Sequence, residues 1–323
     1  MPTRRSLLAA AATLPLARAA RAERWAPDRP LRLVAPFPPG GASDLVSRML
    51  VEELGPALGQ PIAVENRAGA GGAIGTEAVV RARPDGLTLL MGSQATHATN
   101  PALNPGLAFD PMRDTAVVAG ICGVPAVLVV HPGVPARTVQ DLVAMARAKP
   151  GELRYGSAGI GASTHLAAAL FAHLAGIELT HVPYRGTGPA MQDLLGGRIE
   201  MLTDTLPTSL PHIQAGRLRA LGVSTAARSA SLPEVPTLAE AGVEGYEALN
   251  WYAVYAPAGT PEPALARLHA EIAAAVARPR FQERLAQQGM LPFPGSREEL
   301  AAYAAADRQR WTALVQATGI KPD

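Results

Sequence analysis

Cysteine is all but missing from this chain. Cys122 is the single thiol in 323 residues, so no disulfide can close within the molecule. It sits in an apolar run, Val117 to Val130, which suits a buried structural thiol. Lysine is nearly as scarce, with Lys149 and Lys321 alone, and arginine carries the rest of the positive charge; this reads as compositional bias rather than function. Beyond the N-terminal segment no stretch reaches eighteen consecutive apolar residues, which leaves no candidate membrane span.

The motifs of several chemistries are missing too. Seven histidines occur at 97, 131, 165, 173, 181, 212 and 269, and none forms His-Glu-x-x-His. There is no cysteine pair for a zinc knuckle. His165 and His173 lie two turns apart on one helix, a spacing that reads as a packed face rather than a metal site. No Gly-x-Ser-x-Gly marks a nucleophile elbow. No Gly-x-Gly-x-x-Gly follows the first strand and no Gly-Lys-Ser/Thr occurs, so nucleotide-phosphate cradles are unsupported. Metal and cofactor are therefore not expected, and no catalytic residue is assigned.

Charged residues make up 17 % and apolar residues 48 %, a globular profile, and the length suits two domains. The first residues read as an export signal. Arg4-Arg5-Ser6-Leu7-Leu8 precedes an apolar run from Leu7 to Ala17, and Ala20-Arg21-Ala22 supplies a small-residue cleavage spacing. The paired arginines leave the twin-arginine and general secretory routes both open. Loss of residues 1–22 would remove four arginines and no acid, moving the net charge from +2 to −2 and removing the electrostatic case for nucleic acid.

The chain is organised around Leu31 to Asp44. An apolar strand, Leu31 to Ala35, enters a loop of three prolines and two glycines, and a helical pattern follows from Leu45 to Leu54. Ser43 or Asp44 is the expected N-cap. Such a loop brings backbone N–H groups to a helix N-terminus, which suits an anion, and the prolines hold it stiff. Strands at Pro61–Glu65 and Leu87–Met91 flank a helix at Ile74–Arg83, the pattern of a parallel α/β sheet. Ligands bind beyond the carboxyl ends of such strands, where Pro38–Ser43 and Ser93–His97 fall. Ala116 to Val130, broken by Gly120, Gly123 and Pro125, reads as two strands with a crossover and a domain boundary near Gly123.

A second strand–glycine loop–helix unit follows about 120 residues on: Tyr155-Gly156-Ser157-Ala158-Gly159-Ile160-Gly161-Ala162-Ser163-Thr164, its helix spanning Ser163 to Ala175. Ser163 is the expected N-cap. Two such loops predict two facing lobes, each offering a helix N-terminus to one ligand. Thr138 to Lys149 reads as a helix capped by Thr138, Ile199 to Asp204 as a strand ending on an acid, and Asn250 to Ala256 as a strand returning to the first lobe. Asp204 is expected to hydrogen-bond a ligand amine or hydroxyl, or to cap the next helix. The C-terminal helices, with Leu300, Tyr303, Trp311 and Leu314, are expected to pack on the first lobe.

Several stretches resemble the Bug family, the periplasmic solute receptors of tripartite tricarboxylate transporters. They are Pro30 to Asp44, Val64 to Gly72, Pro84 to Leu90, Tyr155 to Gly159, Val182 to Gly186, Val235 to Glu240 and Ala256 to Pro261, in family order along the chain. The resemblance implies a type II periplasmic binding protein fold: two α/β lobes joined by two crossover strands. With the pattern above this gives a signal peptide at 1–22, lobe 1 at 24–123 plus 249–323, and lobe 2 at 124–248. Carried over by position, the ligand contacts are Pro38, Pro39, Gly40, Gly41, Ala42, Ser43, Ser93 and Thr96 from lobe 1. From lobe 2 they are Ser157, Gly161, Ala162, Ser163, Thr164, Tyr184 and Asp204. Thr205 stands where relatives often carry Asn, which puts an amide contact there in doubt; Gln94 and His97 sit in the loop expected to set specificity.

The implied protein is a non-enzymatic, monomeric periplasmic receptor for a small mono-, di- or tricarboxylate or aromatic acid. It would serve a tripartite tricarboxylate permease or a sensor kinase, with no nucleic-acid partner. The alternative from another class is an exported hydrolase of a small ester or amide with Ser157 or Ser163 as nucleophile. A LysR-type effector domain conflicts with the export signal and the missing helix-turn-helix.

Overall fold

The computed structural model describes residues 25–321, so the expected export signal lies outside the described residues. In chain order the elements are β1 (Leu31–Ala35), α1 (Ala42–Leu58), β2 (Ile62–Asn66), α2 (Ala73–Val80), β3 (Thr88–Ser93), α3 (Asn100–Leu103) and α4 (Pro111–Asp114). Then come β4 (Thr115–Val130), α5 (Val139–Ala148), β5 (Arg154–Ser157), α6 (Ser163–Ala175), β6 (Thr180–Pro183), α7 (Thr187–Leu195) and β7 (Met201–Thr205). The rest are α8 (Leu206–Gln214), β8 (Arg219–Val223), β9 (Leu249–Pro257), α9 (Glu262–Val276), α10 (Pro279–Gln287), β10 (Leu291–Pro292) and α11 (Arg297–Thr318).

The strands run β2-β1-β3-β9-β4-β7-β5-β6, with β8 and β10 also on β4. The expected parallel pairing holds at both ends of this path: β1 is parallel to β2 and β3, and β5 to β6 and β7. The centre departs from it. β9 is antiparallel to β3 and β4, and β4 is antiparallel to β7 and β8. The sheet is mixed because the crossover strands enter against the lobes' own direction, a direction that strand-by-strand patterns do not carry.

Strand alternation builds four apolar layers, two per lobe. Leu33 and Leu89 face α1 and α9 through Leu50, Leu268 and Ile272, while Val34 and Leu90 face Trp251 and Tyr255. In the second lobe Leu128 and Val130 join Leu142, Leu166, Phe171 and Tyr246, while Val127 and Val129 join Leu194, Leu202 and Leu206. Helix ends follow their signals where local chemistry suffices. Thr138 and Asp141 form a reciprocal capping box on α5, and Gly59, Gly176 and Gly319 close α1, α6 and α11 in the left-handed conformation.

Ala116 to Val130 is not two strands with a crossover. It lies within one sixteen-residue strand, β4, that pairs with β9 through Pro125 and with β7 from Ala126 onward. Gly120 and Gly123 are close-packing positions rather than breaks. A Cβ on Gly120 would lie 2.0 Å from the Phe293 carbonyl oxygen, and one on Gly123 2.6 Å from Leu249 Cδ2. Ser224 ties the two crossing strands together: its hydroxyl accepts the Ala126 N–H at 2.8 Å and donates to the Ala248 carbonyl at 2.5 Å. Cys122 is fully buried, as expected, and burial raises its thiol pKa.

α11 spans both lobes instead of packing on the first alone. Its Tyr303 and Ala304 pack with Trp251, and its Trp311 and Leu314 join the second-lobe layer. The Trp251 indole N–H donates to Asp307 of α11 at 2.8 Å. Among the described residues no helix is long and apolar enough to cross a membrane.

Candidate functional site

Between the lobes lies a cleft of about 1250 Å³, and its lining contains no Asp, Glu, Lys, Arg or His. Three helix N-termini meet there. The loop after β1 ends at Gly41, the N-cap of α1; the loop after β5 ends at Ala162, the N-cap of α6; and Gly186 is the N-cap of α7. None has a side-chain cap, so the first amides of each helix keep their unmet donors and partial positive charge. The expected serine caps are thus corrected. Ser43 lies inside the first turn of α1 and Ser163 is the first helical residue of α6, because Gly41 and Ala162 already hold the extended geometry that a cap requires.

The three ends differ in charge. Asp44 occupies the first turn of α1, where it accepts the Gly40 N–H at 3.0 Å and pairs with Arg48. Those two contacts, Arg48 first, hold its carboxyl below the usual range. The dipole of α1 is therefore partly answered already. The first turns of α6 and α7 carry no acid and stay open to an anion.

The loop before α6 is held from behind by a polar lattice. Ser157 Oγ accepts the Gly159 N–H at 3.1 Å and lies 2.6 Å from His181 Nε2. Thr164 Oγ1 accepts the Ala158 N–H at 2.9 Å, and His165 Nδ1 accepts the Gly161 N–H at 3.0 Å. His165 and His181 stack at 4.0 Å with nearly parallel planes, and Tyr155 stacks on His181 at 4.8 Å. Burial, then repulsion from His181, lowers the His165 pKa to about 4, so the ring stays neutral and can accept. Gly159 and Gly161 have φ of 128° and 75°, which glycine adopts without strain.

Of the expected contacts, Pro38, Pro39, Gly41, Ala42, Ser43 and Ser93 line the cleft from the first lobe, and Gly161, Ala162 and Ser163 from the second. The hydroxyls of Ser43 and Ser93 are buried there without partners. Gly40, Thr96, Ser157 and Tyr184 stand outside the lining. Thr96 Oγ1 braces Ser93 by accepting its N–H at 2.9 Å, and Tyr184 donates to Asp193 at 2.7 Å. Thr164 and Asp204 line a smaller cavity beside the cleft, with Gln94.

His97 does not face the cleft. It is fully buried, stacks on Tyr255 at 3.8 Å and has its pKa lowered to about 3 by burial.

Other cleft walls escape sequence reasoning. Ala70 and Gly71 are pinned by Asn100, whose amide donates to both carbonyls at 2.7 and 3.0 Å. Leu103, Leu107, Ile160 and Tyr252 add apolar surface, and Thr187 opens α7. The glycine before Thr187 was the available signal; the others arrive through tertiary contacts. Among the described residues no group of three His, Cys, Asp or Glu gathers as a metal site.

The family model described as tripartite tricarboxylate transporter family receptor matches residues 46–320. A Pseudomonas sp. protein, "UPF0065 protein in tcbD-tcbE intergenic region", is 42 % identical over 315 residues, covering 97 % of this chain and 94 % of that one. Protein BugT of Bordetella pertussis is 38 % identical over 296 residues, 91 % of each. Among solved structures, R. palustris Rpa4515 with adipate is 37 % identical with a TM-score of 0.81, covering 92 % of this chain and 99 % of that one. MatC from Rhodopseudomonas palustris with bound malate is 32 % identical with a TM-score of 0.77, covering 90 % and 99 %.

Proposed function

We propose, for a chain that belongs to the tripartite tricarboxylate transporter receptor family, that it is an exported receptor that closes on a small carboxylate. The observation that carries this is the meeting of three uncapped helix N-termini in a cleft without a charged side chain. A carboxylate docks at the open end of α6, where backbone N–H groups and the Ser163 hydroxyl face it. The α7 end stands beside it. Neutral donors and the helix dipoles then hold the charge, and Leu103, Ile160 and Tyr252 cover the apolar body of the acid. The bound acids of the solved relatives, adipate and malate, are of this class.

The lobes, residues 24–123 with 249–323 and residues 124–248, act as a clamp. Closure brings Pro38–Ser43 over the ligand and is a population shift toward the form that binds more tightly. The closed form is the one read by a membrane permease or a sensor. Residues 1–22 direct the chain to the periplasm and are removed there. Of the two serines the hydrolase alternative would use, Ser157 is fully buried and outside the cleft lining, while Ser163 lines the cleft.

A thermal-shift screen against mono-, di- and tricarboxylates and aromatic acids tests the proposal. A ligand at 100 times its dissociation constant stabilises by about 2.7 kcal/mol, a readable rise in melting temperature. A hit among the acids supports the clamp and gives its substrate class; silence across all of them from a folded sample overturns it.

A further inference from the structure

Beside the deep end of the cleft is a second cavity, of about 20 Å³, enough for one water-sized group. It lies where the lobes meet: Gln94 follows β3, Thr203 and Asp204 lie on β7, Asn250 on β9, and Trp311 of α11 closes it. Ser163, Thr205 and Asn250 line both spaces, so the cavity adjoins the proposed carboxylate position.

Its lining is rich in oxygen acceptors that have nothing to accept. Gln94 Oε1, Thr203 Oγ1, Asp204 Oδ1 and Asn250 Oδ1 are all buried without a hydrogen-bond partner. The other ends of two of these groups are engaged. Asp204 Oδ2 accepts from the hydroxyls of Thr208 and Ser209, and Asn250 Nδ2 donates to Tyr252 at 3.2 Å. Asp204 is fully buried and no Lys or Arg pairs with it, a costly state for a carboxylate. Burial accordingly raises its pKa. The indole N–H of Trp311, which lines the same cavity, is also buried without a partner and is an unmet N–H donor beside these oxygens.

A carboxylate ringed by neutral oxygens, in a space for one small group, asks for positive charge. We propose that this cavity binds one monovalent cationic group of ammonium size, held by Asp204, Gln94, Asn250 and Thr203. The group is either a free ion or the amine of an acid docked at α6. Because its ligands come from both lobes and a crossing strand, its binding ties the lobes together. Only the amine source rests on the receptor reading.

The test is a melting series of the purified protein without any acid, in sodium, potassium, ammonium or choline chloride at constant ionic strength. Choline is too large for the cavity and serves as the reference. A rise with a small cation, lost in Asp204→Asn, assigns the site to a free ion. If the salts are equivalent, an amino acid is compared with the same acid lacking the amine. A preference for the amine of about tenfold or more, abolished in Asp204→Asn, assigns the site to the ligand. Gln94→Leu serves as the second variant should Asp204→Asn fail to fold, and it is expected to weaken the same effect. Equal melting in all four salts with no preference for the amine overturns the proposal and leaves the cavity to water. The salt series needs no carboxylate ligand, so a silent acid screen does not touch it.

Discussion

Ser157 Oγ lies 2.6 Å from half-exposed His181 Nε2, yet the serine is fully buried and lies outside the cleft lining. A nucleophile must reach its substrate, whereas this hydroxyl accepts the Gly159 N–H and braces the α6 entrance. The contact is the arrangement an exported hydrolase would need, placed where it serves as a strut.

The two serines of that loop therefore respond differently to removal. Ser157→Ala takes the acceptor from the half-buried Gly159 N–H and is expected to cost about 0.5–1.5 kcal/mol. Ser163→Ala removes no cap and is expected to stay within about 0.5 kcal/mol. Denaturant melts give both values, and absence of ester or amide turnover by the unsubstituted protein removes the hydrolase reading.

Acid is expected to weaken the fold before the carboxylates titrate. His165 holds a folded pKa of about 4 and His97 about 3, both below the unfolded value of about 6.5. Between those values the unfolded chain binds more protons than the folded one, so stability falls as pH drops from about 6.5 toward 4. Protonated His165 also cannot accept the Gly161 N–H, so acid affinity falls only as pH approaches about 4, where the folded ring takes up its proton. Melting temperature against pH, with His165→Asn losing part of the slope, checks this; a flat profile between 7 and about 4.5 would contradict it.

Asp44 should bias the cleft by charge. Asp44→Asn removes the acid that answers the α1 dipole and leaves Arg48 unpaired nearby. The variant is expected to lose about 0.3–1 kcal/mol of stability while gaining affinity for dicarboxylates over monocarboxylates. Titration calorimetry of a matched acid pair reads the preference. An unchanged ratio would mean that the α1 end does not meet the ligand.

Gly120→Ala is expected to cost about 1–3 kcal/mol or more, since its Cβ would collide with backbone rather than with a movable side chain. Gly106→Ala, where a Cβ meets nothing within 4 Å, is the matching control. Equal melting of the two variants would show that Gly120 is not a packing position.

Much of this molecule was legible because its signals are local. α6 begins and ends where its pattern does, Thr138 caps α5, and both glycine-containing loops stand after the strands that predict them. What was hidden depends on partners distant in sequence. Gly120 and Gly123 look like breaks until Phe293 and Leu249 arrive beside them. Ser43 and Ser163 have the right chemistry to cap, but a residue one or two places earlier already turns the backbone. Asn100, Asn250 and Tyr252 join the walls only through tertiary packing, and no spacing announces them.

β4 passes from one lobe to the other without a loop, and Ser224 laces it to the chain entering β9. A molecule built this way has no free pivot. The clamp motion proposed above must then be taken up as twist in two bonded ribbons. The elastic constant of that ribbon pair, set by residues that never touch a solute, then governs how long a captured solute stays.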